Sequence, residues 1–215
     1  MTIATRLPTP VRQHLAALRA LLVFTVILGI AYPLVVAGVA QLAFPHQANG
    51  SLVDNKGGTP VGSSLLGQAF TDAKGNPLPQ WFQPRPSAAA DPSNSSDPGY
   101  NPLFSTPSNK GPSNTDLIKA INDRRAAVAA FDGVPPASVP DDAVTGSGSG
   151  LDPDISPAYA QEQVNRVAKA RHLDPASVTK LVDQYTQGRT LGFLGEPRVN
   201  VVDLNLALSQ AGGAQ

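Results

Sequence analysis

The sequence predicts an α+β protein: a single N-terminal transmembrane helix followed by one extracytoplasmic mixed α/β domain. Three observations predict it. Ala20 to Phe44 runs for 25 residues without a charged side chain, and a bilayer span needs about 20 predominantly apolar residues. Further on, three stretches carry apolar residues at helical spacing behind good capping residues. Between them, 19 glycines and 21 prolines in 215 residues favour short elements joined by many loops.

Residues 20–44 form the span. At 1.5 Å per residue such a helix is roughly 37 Å long, enough to cross a hydrocarbon core of about 30 Å with some tilt. Thr25, Tyr32 and Gln41 are its polar interruptions, and a helix satisfies their backbone groups internally. Arg6, Arg12 and Arg19 precede it, and no Lys or Arg follows it until Lys56. The positive-inside rule therefore assigns residues 1–19 to the cytoplasm and residues 45–215 to the outer face. A cleaved signal peptide with Gly38 and Ala40 before the cut is the competing reading, but secretory apolar regions run only about 7–15 residues. Gly29, Pro33, Ala37 and Ala40 recur at helical spacing, a small-residue face that lets a partner helix approach, or that faces lipid. Pro33 lacks an N–H and presses on the carbonyl of Gly29, which predicts a modest kink. With no ionisable side chain, the span by itself offers no ion or proton path.

Composition bounds the rest. Lys plus Arg balance Asp plus Glu at 16 each, so there is no electrostatic footprint for nucleic acid. Cysteine is absent, which excludes disulfides and thiolate metal sites. His14, His46 and His172 lie far apart, none in a ligand-spaced pair, so no metal site is expected.

Phe44-Pro45 should end the first helix, because a residue before proline is pushed out of the helical region. Asn49 to Pro60 reads as a turn-rich link, and Gly62 to Phe70 as a short strand. Trp81-Phe82-Gln83-Pro84-Arg85 predicts a buried aromatic pair beneath a stiff turn, with Arg85 at the surface as a recognition point or a bonder of local carbonyls. Ala88 to Ser108 is a loop. Ser113, with Asp116 three residues on, should cap a helix bearing Leu117, Ile121 and Val128 on one face. Arg124 and Arg125 lie towards its C-terminal half, where cations suit the dipole. Ser156 and Pro157 should open a helix reaching Arg171 with Ala160, Val164, Val167 and Ala168 inward. Asp174 and Pro175 open another, carrying Val178, Leu181, Val182 and Tyr185 until Gly188 stops it. Asn200 with Asp203 caps a terminal helix with Val201, Leu204 and Leu208 on one side. Phe193 and Leu194 are expected to plug the core, and Glu196 to pair with Arg198.

The most distinctive soluble segment is Val144 to Pro157. Its glycines and hydroxyls can wrap an anion, yet it lacks a P-loop lysine and the glycine spacing of a dinucleotide fingerprint. Gly148 stands where a nucleophile elbow needs its serine. Asp152 and Asp154 hint at calcium without the rest of an EF-hand loop. A tight turn delivering chain into a helix is the simpler reading. Two functional alternatives stay open: a membrane-tethered anion- or nucleotide-binding module, and a tethered serine hydrolase using Ser147 or Ser149 with His172.

Several segments together resemble one family. The N-terminal span, Gly62-Ser63-Ser64-Leu65-Leu66-Gly67-Gln68, Arg85-Pro86-Ser87-Ala88, Gly111-Pro112-Ser113-Asn114, Ser147 to Pro157 and Leu191 to Val201 look like the KdpC subunit of the bacterial Kdp potassium-transporting P-type ATPase. The resemblance covers nearly the whole chain in the same order. It implies a non-catalytic accessory subunit of an ATP-driven potassium importer, needed for assembly and described as a catalytic chaperone that raises the pump's affinity for ATP. The implied partners are a channel-like potassium-binding subunit, a P-type ATPase subunit and a small membrane subunit, with no nucleic acid. Membrane lipid surrounds the span, and the implied location is the bacterial inner membrane. ATP enters through the ATPase partner; Gly67 and Gln68, in a stretch likened to the signature of ATP-binding cassette proteins, are the nucleotide-contact candidates on this chain. Leu65 and Leu66 stand where the glycine-bearing part of that signature would fall. Candidates for partner contact are Gly29, Pro33, Ala37, Ala40, Arg85, Asp152 and Arg198.

Overall fold

The computed structural model describes residues 8–211, and Arg6, used above for orientation, lies outside them. The chain divides into two compact units at Ser51/Leu52.

The first unit is one long apolar helix in three parts. α1 (Thr9–Val26) continues through a π turn, Ile27–Ala31, into α2 (Tyr32–Ala43). Together they make 35 residues from Thr9 to Ala43, long and apolar enough to span a bilayer, with none of the most apolar window buried. The irregularity expected near Pro33 takes the form of the π turn. Pro33 has no amide hydrogen for the Gly29 carbonyl, and the wider turn takes up the mismatch, with the Tyr32 amide reaching Ile27 O. Helix α2 stops at Phe44 (φ −139°) ahead of Pro45, as the proline requires, and a four-residue turn, α3 (Pro45–Ala48), follows. The Gln41 and Asn49 amides bond each other at 3.3 Å, which gives the last polar group of the helix a partner. Pro33, Ala37 and Ala40 share one side of α2, and beside Gly29 a side chain would meet only Thr25 at 3.9 Å.

The second unit begins with a hairpin of β1 (Leu52–Asp54) and β2 (Pro60–Ser63), paired Leu52↔Ser63 and Val53↔Gly62. The Asn55 side chain accepts the amides of Gly57 and Thr59, fixing the turn. The predicted strand over Gly62–Phe70 survives only at its start. After Ser63 the chain turns, and Leu65 is exposed. A long loop follows, as expected, up to α4 (Thr115–Asp132). Its cap is Asn114, accepting from the Leu117 amide at 3.0 Å, one residue beyond the Ser113 expected. Gly133 closes α4 at φ +72°, a left-handed conformation that only glycine adopts freely.

β3 (Asp154–Ile155) leads into α5 (Pro157–Arg171), capped by the Ser156 hydroxyl at the Tyr159 amide, 3.0 Å. α6 (Pro175–Tyr185) follows at once, although Asp174 makes no side-chain cap. It ends three residues before Gly188 because Thr186 turns extended and opens β4 (Thr186–Gln187). β5 (Arg198–Asn200) joins β3 and β4 in an antiparallel three-stranded sheet of order β3-β5-β4. α7 (Val201–Ala211) begins directly behind it, with Asn200 Oδ1 accepting from the amides of Val202 and Asp203.

α5 is the centre of the core. Ala160, Val164, Val167 and Ala168 are buried as their spacing predicts, against Val178 and Val182 of α6 and Leu204 and Leu208 of α7. Each fully buried aliphatic side chain contributes about 1.5–3 kcal/mol. Phe82 is fully buried, whereas Trp81 packs partly exposed, its ring 5.9 Å from that of Phe70 and beneath the Arg171 guanidinium. The segment Pro79–Gln83 belongs to no sheet, so side chains satisfy its backbone. Asn205 bonds both the N–H and the C=O of Phe82 at 2.9 Å. Gln163 does the same for Gln83 at 2.6 and 3.1 Å. Arg166 donates to Pro79 O and Trp81 O, and pairs with buried Asp132.

Two expectations fail in the β4–β5 region. Phe193 and Leu194 are exposed, because α5, α6 and α7 already fill the space around β5. Glu196 pairs with Arg189 and Arg198 with Asp154, because the antiparallel register Gln187↔Arg198 continues to set Arg189 opposite Glu196, and the register Asp154↔Asn200 places Asp154 diagonally beside Arg198.

Candidate functional site

Three residues expected to contact partners converge on one cleft. The register Asp154↔Asn200 and Ile155↔Val199 lays β3 beside β5, so Arg198 Nε reaches Asp154 Oδ2 at 3.1 Å. Pro153 O accepts from the Val201 amide and fixes the strand's entry. One turn earlier, Asp152 folds on itself, with Oδ1 accepting from the Asp154 amide at 3.0 Å. Its other oxygen takes Arg85 Nη1 at 3.1 Å. Arg85 also donates to Thr145 O and Gly146 O, both at 3.3 Å, so it is both an ion-pair partner and a bonder of local carbonyls.

The cleft, about 340 Å³, is bounded by Arg85, Asp142, Asp152, Asp154, Glu196 and Arg198. Four carboxylates thus face two guanidiniums, and Arg189 reaches Glu196 from beside the cleft. The balance is negative by the one carboxylate, Asp142, that has no ion-pair partner among the described residues. Asp142 is engaged by the Ser156 amide at 2.6 Å and hydroxyl at 2.9 Å. The Asp154 carboxyl titrates above the ordinary aspartate range, first through burial and then through repulsion from Asp152, with Arg198 opposing. Fixed charges of this kind can orient a cationic side chain at the cleft mouth and form charge-assisted hydrogen bonds with it.

Gly67 packs against Asp152 at this cleft, whereas Gln68 lines a separate pocket with Val61 and Asn205. The Gly67 amide donates to Leu151 O at 2.8 Å, and a side chain there would strike the Tyr100 ring and Asp152 O. Gln68 Nε2 donates to Val61 O at 2.8 Å, tying the β1–β2 hairpin to this segment. Ser87 entered the sequence reading only as part of the family motif Arg85-Pro86-Ser87-Ala88, and Tyr100 escaped it. Tyr100 donates its hydroxyl to Arg85 O at 2.8 Å, and burial pushes its phenol up. The Ser87 hydroxyl donates to Gly150 O at 2.6 Å and accepts from the Tyr100 amide at 2.9 Å. Gly99, at φ +94° and pressed against Ser87, marks this close approach, as Gly67 does against the Tyr100 ring.

The Ser/Gly segment is a turn. Ser147 and Ser149 accept from the amides of Gly150 and Leu151, and among the described residues neither hydroxyl bonds His172. His172 is the left-handed closing residue of α5 at φ +56°, exposed to solvent. The small-residue positions Gly29, Pro33, Ala37 and Ala40 belong to the other unit and are not part of the cleft.

Comparison with known proteins gives these features a setting. Residues 14–210 match the profile of the family described as KdpC, K+-transporting ATPase, c chain. A potassium-transporting ATPase KdpC subunit of Kineococcus radiotolerans is 54% identical over 200 residues, covering 93% of this chain and 94% of that protein. That of Streptomyces avermitilis is 52% identical over 206 residues, covering 91% and 92%. That of Mycobacterium tuberculosis is 49% identical over 200 residues, covering 93% and 98%. With the long apolar helix, the mixed α/β unit behind it and a match across almost the whole length, the chain belongs to the KdpC family, the c chain of K+-transporting ATPases.

Proposed function

We propose that this chain is the non-catalytic accessory subunit of an ATP-driven, high-affinity potassium importer, held in the bacterial inner membrane by residues 20–44. The observation that carries this reading is the 35-residue apolar helix with no buried side chain, in a chain of a family named for the ATPase. The relatives' shared name, potassium-transporting ATPase KdpC subunit, supports it. A single helix with a bare apolar surface anchors the chain, and Arg12 and Arg19 near its start favour a cytoplasmic N-terminus with residues 45–215 outside.

In this reading the partners are the channel-like potassium-binding subunit, the P-type ATPase subunit and the small membrane subunit. The span meets them through Gly29, Pro33, Ala37 and Ala40, and the outer unit through Arg85, Asp152 and Arg198. The negative cleft suits a partner's Lys or Arg. A subunit whose folded unit is outside raises ATP affinity by coupling through the assembly rather than by touching nucleotide. The experiment is deletion of the chain in a cell whose growth at low external potassium depends on the pump. High-affinity uptake should disappear and return with the intact chain; undiminished uptake would overturn the proposal.

A further inference from the structure

The hairpin between β4 and β5 ends in an apolar tip that backbone hydrogen bonds close and the fold leaves bare. The strands pair through Thr186↔Val199 and Gln187↔Arg198. Beyond them Thr190 and Leu194 exchange both backbone hydrogen bonds at 2.9 Å, and Arg189 bridges Glu196 at 2.7 Å. Leu191 and Gly192 complete the turn at φ +54° and +82°. The result leaves Leu191, Phe193 and Leu194 exposed by 79%, 69% and 50%. Val199, at the foot of the same hairpin, is fully buried, so core and bare tip divide within a few residues.

A leucine rarely adopts positive φ, and such strain persists where a surrounding framework keeps a shape for a use. A lipid surface takes apolar side chains in any conformation and favours basic neighbours. Here residues 190–195 carry no charge, and the flanking Arg189 and Arg198 are already paired with Glu196 and Asp154. Two tips meeting head to head would bury roughly a few hundred Å², well short of the ~1,200 Å² of a stable association. A protein socket, by contrast, gains from a tip whose ordering entropy has already been removed. The membrane helix also holds such a socket at high effective concentration, so a contact this small suffices.

We infer that the Leu191–Phe193–Leu194 tip docks into an uncharged apolar socket on another chain of the ATPase complex. The inference rests on the accessory-subunit reading above. The test places the photo-crosslinking residue p-benzoylphenylalanine at position 193 of the tagged full-length chain, co-expressed with the other ATPase chains, and identifies the adduct by mass after irradiation of membranes. An adduct with another ATPase chain is expected. In parallel, Phe193→Asp should lower recovery of the other chains on the tagged protein at least ten-fold while its melting temperature stays unchanged. An adduct with lipid, one of twice the chain's own mass, or none, in a sample where the wild-type chain still co-purifies with ATPase chains, overturns the docking inference alone. Undiminished recovery with Phe193→Asp does the same. A wild-type chain that co-purifies with no ATPase chain overturns both this inference and the accessory reading.

Discussion

Arg166 shows how much of this domain depends on single polar side chains. Its guanidinium lies 4.4 Å from the Phe131 ring centroid, pairs with buried Asp132 and bonds Gln163 Oε1 at 2.6 Å. Arg166→Met keeps the stem but strands the carboxylate. Chemical denaturation should register a loss of about 3–5 kcal/mol, most of it recovered by adding Asp132→Asn. Glu162 presents the opposite case. Its Oε1 is buried and has no hydrogen-bond partner among the described residues, and burial followed by Asp132 and Asp142 raises the carboxyl from 4.5 to about 7. The native state therefore holds a proton that the unfolded state has lost, so stability is greatest below about pH 4.5 and declines as pH rises to about 7 for this group. Glu162→Gln should flatten that slope and stabilise the protein by about 1 kcal/mol above neutrality once solvent screening is counted. Melts across the pH range check the sign. Neither residue was singled out from sequence. A charged residue on a helix says nothing about its surroundings until another segment covers it.

Among elements, the segment Pro79–Gln83 behaves as a strand without a sheet. Asn205 and Gln163 supply the donors and acceptors a neighbouring strand would have given. Asn205→Ala leaves both polar groups of Phe82 buried and unmet, and should destabilise by about 1–3 kcal/mol in denaturant titrations. The β4–β5 hairpin responds differently. Leu191→Asn relieves the left-handed strain and should raise stability by about 1 kcal/mol, since Asn tolerates that conformation. The helices were legible beforehand because period 3.6 and capping chemistry are local: the inward residues of α5 are those its spacing selects. The tip residues Phe193 and Leu194 misled, because apolar character reports affinity for a covered place without saying whether this chain or another provides it.

For the molecule as a whole, sidedness is the accessible test. With no native cysteine, Ser95→Cys in the long exposed loop introduces a single thiol. Intact cells should label it with a membrane-impermeant maleimide, and protection until lysis would reverse the proposed orientation. What the residues determine by themselves is what depends on neighbours along the chain: the apolar length of the anchor, the proline that ends it, the caps and buried faces of α5 and α7, and the family motifs. By contrast, α4 is capped one residue later than expected, α6 lacks its aspartate cap and Tyr185 of its stripe is exposed. Only the tertiary structure decided the ion pairs. Arg85 meets Asp152 across 67 positions, and Arg198 takes Asp154 rather than Glu196. It also decided that Gly67 is required where Tyr100 and Asp152 press close, that Gln163 and Asn205 serve as backbone partners, and that Phe193 remains bare. The physical reason is range. Backbone propensity and capping act within a turn or two, whereas charge pairing, desolvation and close approach depend on which distant segment arrives alongside, and that is fixed when β3, β5 and the helices pack.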